Sequence, residues 1–112
     1  MAILEVTAEQ LNERAHTSAL PALEGVLLFT PFCGTCQLAE RMLEIAQATG
    51  ITVPLSKLNI NYAPTLIEAW KVVSVPCFVL LEDGKPIHMT YAMKSVDHLY
   101  NLIRSHTSDS RS

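Results

Sequence analysis

The run "GVLLFT", residues 25–30, leaves little choice about where it can go. It is apolar almost without interruption, whereas a strand with one wet face alternates apolar and polar residues. A run of this kind is expected as a strand buried on both faces, in a parallel or mixed sheet between helices. It is too short to be a membrane span. A spanning helix needs about 20 apolar residues, and no run in the chain approaches that.

The flanking sequence fits such a sheet. "AILEV", residues 2–6, reads as a short edge strand. Thr7 and Gln10 form a capping-box pattern, which predicts a helix to about Leu20 that ends near Pro21. After residue 34 a second helix is expected, with Leu38, Met42, Ile45 and Ala46 on one face and Gly50 as a natural stop. "TVPLSKLNI", residues 52–60, reads as a third strand broken early by Pro54, and a helix over 65–71 follows. Asp83-Gly84 is a hairpin signal between two further strands. A last helix, residues 96–106, carries Leu99, Leu102 and Ile103 on one face, and the polar residues 107–112 read as a flexible tail. The order β-α-β-α-β-α-β-β-α predicts one α/β domain over residues 1–106, a mixed central sheet with helices on both faces. A chain of 112 residues has room for one such domain.

Two of the three cysteines, Cys33 and Cys36, fall where the buried strand turns into a helix. The first turn of a helix presents free backbone N–H groups and the positive end of the helix dipole, and both favour a thiolate. The thiolate is the reactive form of cysteine. Cys33 can attack a disulfide, and Cys36, about one turn on, can reach back and resolve the mixed disulfide. A CxxC at a strand-to-helix elbow in a βαβ pattern is the signature of a thioredoxin-like redox motif. Zinc is disfavoured, because no second CxxC or HxxxH pair completes four ligands. His16, His88, His98 and His106 are scattered and expected at the surface. The net charge of -3 argues against a nucleic-acid partner. The N-terminus has no signal-peptide pattern, and an odd, small number of cysteines suits a reducing compartment. A cytoplasmic protein is expected, without a membrane partner.

The sequence resembles the thioredoxin family over residues 2–106. Three stretches carry the likeness: "FCGTCQ", "KLNI" at residues 57–60, and "VSVPCFVLLEDGKPI". The resemblance implies a thioredoxin fold, a mixed four- to five-stranded sheet flanked by four helices. It implies reduction of protein disulfides through a Cys33–Cys36 redox disulfide and no other cofactor. Cys33 would be the nucleophile and Cys36 the resolving thiol. Phe32, Gly34, Thr35, Val75 and Pro76 would line the substrate site, Pro76 in a cis peptide. The electron donor would be a flavoprotein of the thioredoxin-reductase kind or a low-molecular-weight thiol.

The chain also departs from the family. Thioredoxins carry a buried aspartate in the strand before the active site, and that place is Leu27 here. No acid lies in residues 25–32, so Lys57, an auxiliary residue in the family, would lack its acidic partner. Tyr91-Ala92 replaces a glycine near the last strand, and Cys77 follows Pro76 where threonine is usual. These departures keep two alternatives open: a thioredoxin-fold binding module with little turnover, or a metal or iron–sulfur site built from Cys33, Cys36 and Cys77. The latter would take its fourth ligand from glutathione or a second subunit.

Overall fold

A computed structural model describes residues 3–15 and 22–111, with the side chains of 14, 15 and 108–111 excluded. The strands are β1 (Leu4–Glu5), β2 (Leu23–Phe29), β3 (Leu55–Asn59), β4 (Cys77–Glu82) and β5 (Lys85–Thr90). The α-helices are α1 (Ala8–Ala15), α2 (Gly34–Ala48), α3 (Pro64–Trp70) and α4 (Val96–Arg111). A single 3-10 turn, Ile60–Tyr62, links β3 to α3. The strand order is β1-β3-β2-β4-β5. β3 pairs parallel with β1 and β2, while β4 runs antiparallel to β2 and β5.

The apolar run accordingly sits in the middle strand. Alternate residues of β2 enter two separate cores. Leu23 and Leu27 join Ala39, Leu43, Phe78, Leu99 and Ile103 beneath α2 and α4. Val26 and Leu28 join Leu11, Ala63, Cys77 and Val79, with Trp70 packed against them, beneath α1 and α3. A strand between two helical layers has no wet face, which is why the sequence shows no alternation.

Several local signals act as expected. Thr7 and Gln10 cap α1 reciprocally: the Thr7 N–H donates to Gln10 Oε1 at 2.8 Å and the Gln10 N–H to Thr7 Oγ1 at 3.1 Å. Asp83 and Gly84 both have positive φ, 52° and 82°, as a tight hairpin turn requires. The expected end of the first helix near Leu20, the boundary at Pro21 and the placement of His16 lie outside the described residues.

Other expectations are corrected. The buried face of α2 is Cys36, Ala39, Leu43 and Ala46. Leu38 and Ile45 instead point outward, 53 % and 45 % exposed. Small Ala39 and Ala46 face the sheet, with Leu43 between them. β1 is shorter than anticipated and β2 starts two residues earlier. β3 begins only after Pro54, and α4 continues past residue 106 to Arg111. His88, His98 and His106 are half-buried, and the rings of His88 and His106 lie 5.5 Å apart.

Candidate active site

At the carboxyl end of β2 the chain turns sharply, with Phe32 at φ 61°, fully exposed. Cys33 then takes the N-cap position of α2 in extended conformation. Its sulfur accepts the Cys36 N–H at 3.1 Å, so one of the helix's free amides points at that sulfur. Thr35 Oγ1 lies 3.4 Å from the same sulfur. Cys33 and Cys36 are joined as a disulfide with their Cα atoms 5.2 Å apart. Cys33 is half-exposed, whereas Cys36 is only 3 % exposed. Gly34 stands in the open, with no atom within 4 Å of where a Cβ would go.

The segment leading into β4 approaches the same end of the sheet. Leu28 pairs with Cys77, so Pro76 falls one step beyond, where β2 runs into the cysteine loop. The Val75–Pro76 peptide bond is cis. Val75 and Pro76 are half-buried. Tyr91 projects from the end of β5, and its hydroxyl accepts the Val73 N–H at 3.3 Å. Phe32, Tyr62 and Val73 are large apolar side chains left 101 %, 79 % and 81 % exposed around this end.

Cys77 does not join the other two cysteines as a ligand set. It is fully buried in the α1/α3 core. Burial pushes its thiol up to about 11, and a hydrogen bond with Tyr91 offsets this only partly. Among the described residues no three of His, Cys, Asp or Glu are grouped to hold a metal ion.

Lys57 has an acidic partner after all, contrary to the expectation from strand β2. Leu27 and Lys57 are neighbours in the β2–β3 register. The acid arrives from α2: Lys57 Nζ donates to Glu40 Oε2 at 2.9 Å and Oε1 at 3.1 Å. The ammonium also lies 5.4 Å from the centroid of the Phe29 ring. Glu40 is four residues after Cys36, one helical turn along the same side. That i, i+4 spacing is the signal the sequence carries, and it lies along the helix, not in the strand. A cavity of about 160 Å³ is lined by Phe29, Phe32, Cys36, Gln37, Glu40 and Lys57, among others.

Comparison with known proteins settles the relationship. The family model described as Thioredoxin matches residues 2–105. The chain belongs to the thioredoxin family. It is 46 % identical over 81 residues to the thioredoxin-like protein YusE of Bacillus subtilis, covering 72 % of this chain and 76 % of that one. It is 31 % identical over 102 residues to a thioredoxin of Chlamydia caviae, covering 91 % and 96 %. Among solved structures, chloroplastic thioredoxin z superposes with a TM-score of 0.79 at 20 % identity, covering 96 % of each chain. Membership and the Cys33–Cys36 pair together make the chain a thiol–disulfide oxidoreductase. No helix among the described residues is long and apolar enough to cross a membrane.

Proposed function

We propose that the protein reduces disulfides in other proteins, with Cys33 as the attacking thiol and Cys36 as the resolving one. The observation that carries this reading is the asymmetry of the pair. Cys33 is the more exposed sulfur and accepts a backbone N–H at the start of a helix, whereas Cys36 is buried behind it. A sulfur so placed is favoured as thiolate, and Thr35 can donate a second hydrogen bond to it. Exposed Phe32, Tyr62 and Val73 offer an apolar surface for a client chain, and Val75 beside Pro76 offers backbone for strand-like pairing. Gly34, which leaves the loop uncovered, belongs to the same surface. The active form is the dithiol, kept reduced in the cytoplasm by a flavoprotein reductase or a small thiol. The chemistry draws on the two sulfurs and on no further cofactor.

Alkylation rate against pH tests the assignment. Cys36→Ser should keep a fast-reacting thiol with lowered pKa and accumulate mixed disulfides with clients. Cys33→Ser should lose both. The reverse pattern would exchange the roles of the two cysteines, and no trapped client in either variant would leave a binding module as the better reading.

A further inference from the structure

Resolution of a mixed disulfide requires Cys36 to give up its proton inside the fold. The strand beneath it supplies no acceptor. Leu27 is fully buried among apolar side chains. The acid of β2, Glu24, points into the other layer beside Leu11, Trp70 and Leu81. It also lies near the start of the strand, about 16 Å from Phe29 at roughly 3.3 Å per residue. Burial without an acceptor would hold Cys36 as a thiol and slow its attack.

Helix α2 brings a carboxylate to the same place by another route. Glu40 follows Cys36 by one turn, and both line the cavity that opens beside Lys57. A carboxylate has about four lone-pair directions. Lys57 takes one on each oxygen of Glu40, so the others can face the cavity. At about 160 Å³ the cavity has room for water, which needs only a few tens of Å³ per molecule and several polar partners. Glu40, Lys57 and Gln37 provide such partners. Lys57 is itself fixed by the Glu40 pair and by the Phe29 ring, so its positive charge stays beside the cavity where the Cys36 thiolate would develop.

We infer that Glu40 is the proton acceptor for Cys36, acting through cavity water, with Lys57 as the residue that positions its carboxylate. This rests on the disulfide-reductase reading above. In the mixed disulfide, Cys33 is bonded to a client sulfur and Cys36 is a thiol. The Cys36 proton passes through water to Glu40. The resulting thiolate attacks Cys33 Sγ, forming the Cys33–Cys36 bond and breaking the bond from Cys33 to the client. That electron pair leaves on the client sulfur, which takes a proton from solvent, and Glu40 returns its own proton to solvent. The dithiol is oxidised by two electrons and the client disulfide is reduced.

The test follows the reduced protein in stopped flow with a limiting aromatic disulfide whose released thiolate absorbs visible light. The first release reports attack by Cys33 and the second reports resolution by Cys36. General acid–base catalysis contributes at least about a hundredfold when it is efficient. Water in an open cavity competes, so Glu40→Gln should slow the second release about tenfold at pH 7 and make it rise in proportion to hydroxide. The first release should not change, and Glu40→Asp should recover part of the rate. Equal second-phase rates and pH profiles in Glu40→Gln and the parent protein would overturn the inference. So would equal slowing of both phases, which would mean a general effect on the loop. Absence of any second release in the parent protein would instead bring down the dithiol reading, and this inference with it.

Discussion

Cys77 lies one residue from Pro76, yet the fold withdraws it from exchange. Its sulfur has no contact with solvent, and burial favours the neutral thiol over the thiolate. With the Cys33–Cys36 disulfide reduced, alkylation of the folded protein at pH 8 should label Cys33 first, and Cys77 should react only on unfolding. Intact-mass measurement reads this directly. The raised pKa also links Cys77 to stability. The folded value, about 11, exceeds the ordinary 9.0, so the stabilising contribution is complete below pH 9 and lost as pH rises toward 11. That difference is worth at most about 3 kcal/mol. Denaturation midpoints should fall over that interval, and Cys77→Ala should flatten the fall even though it lowers the whole curve. An identical slope in both proteins would assign the loss to other groups. The sulfur's inertness was legible from its place in an apolar strand. Glu40 was not, because its importance depends on how far a helix side chain reaches across to Lys57, and the order of residues along β2 does not contain that distance.

At the scale of elements, the histidines show how the sequence can hide a cluster. His88 is on β5, while His98 and His106 are eight residues apart on α4. Only the docking of α4 brings them together, with the His88 and His106 rings 5.5 Å apart. Burial lowers the His88 pKa most, and the neighbouring charges of His106 and His98 lower it further. The neutral ring is therefore the form that suits the fold. Its contribution is present above the ordinary histidine pKa of about 6.5 and is lost as pH falls below it. Acidification from pH 7 to pH 5 should loosen α4 from β5. Hydrogen exchange at the α4 amides should rise across that range, and His88→Gln should remove most of the rise. If the amides of both proteins respond alike, acid acts elsewhere. The same element-level blindness explains the misread face of α2. Leu38, Met42, Ile45 and Ala46 make a plausible helical stripe, and Ala46 and Met42 do face the core, but the sheet takes Cys36, Ala39 and Leu43 beside them and leaves Leu38 and Ile45 outside.

For the whole molecule, the order and type of the elements were legible because each boundary carries its own chemistry: a capping box, a Gly stop, an Asp-Gly turn, and an apolar run that must be covered on both sides. The register between strands was not, because it is set by side-chain fit. Gly25 shows the fit at the centre of the sheet, in the strand that β3 and β4 both flank. A Cβ on Gly25 would lie 2.6 Å and 2.8 Å from two atoms of the Phe78 ring and 2.9 Å from Leu55 Cδ2. Phe78 is fully buried in the α2/α4 core and cannot swing into solvent. Relief would have to come from moving β2 against its neighbours, and the site loop is carried on the end of β2. Overpacking of this kind costs about 1–3 kcal/mol, so Gly25→Ala should lower the urea midpoint with little change in slope. Gly34→Ala is the matched control, since nothing stands within 4 Å of its Cβ. It adds the same methyl group beside the cysteines and should leave the unfolding free energy within about 0.5 kcal/mol of the parent. If the two variants unfold at the same urea concentration, β2 has slack to absorb a methyl group at Gly25, and close packing at the centre of the sheet does not fix its register.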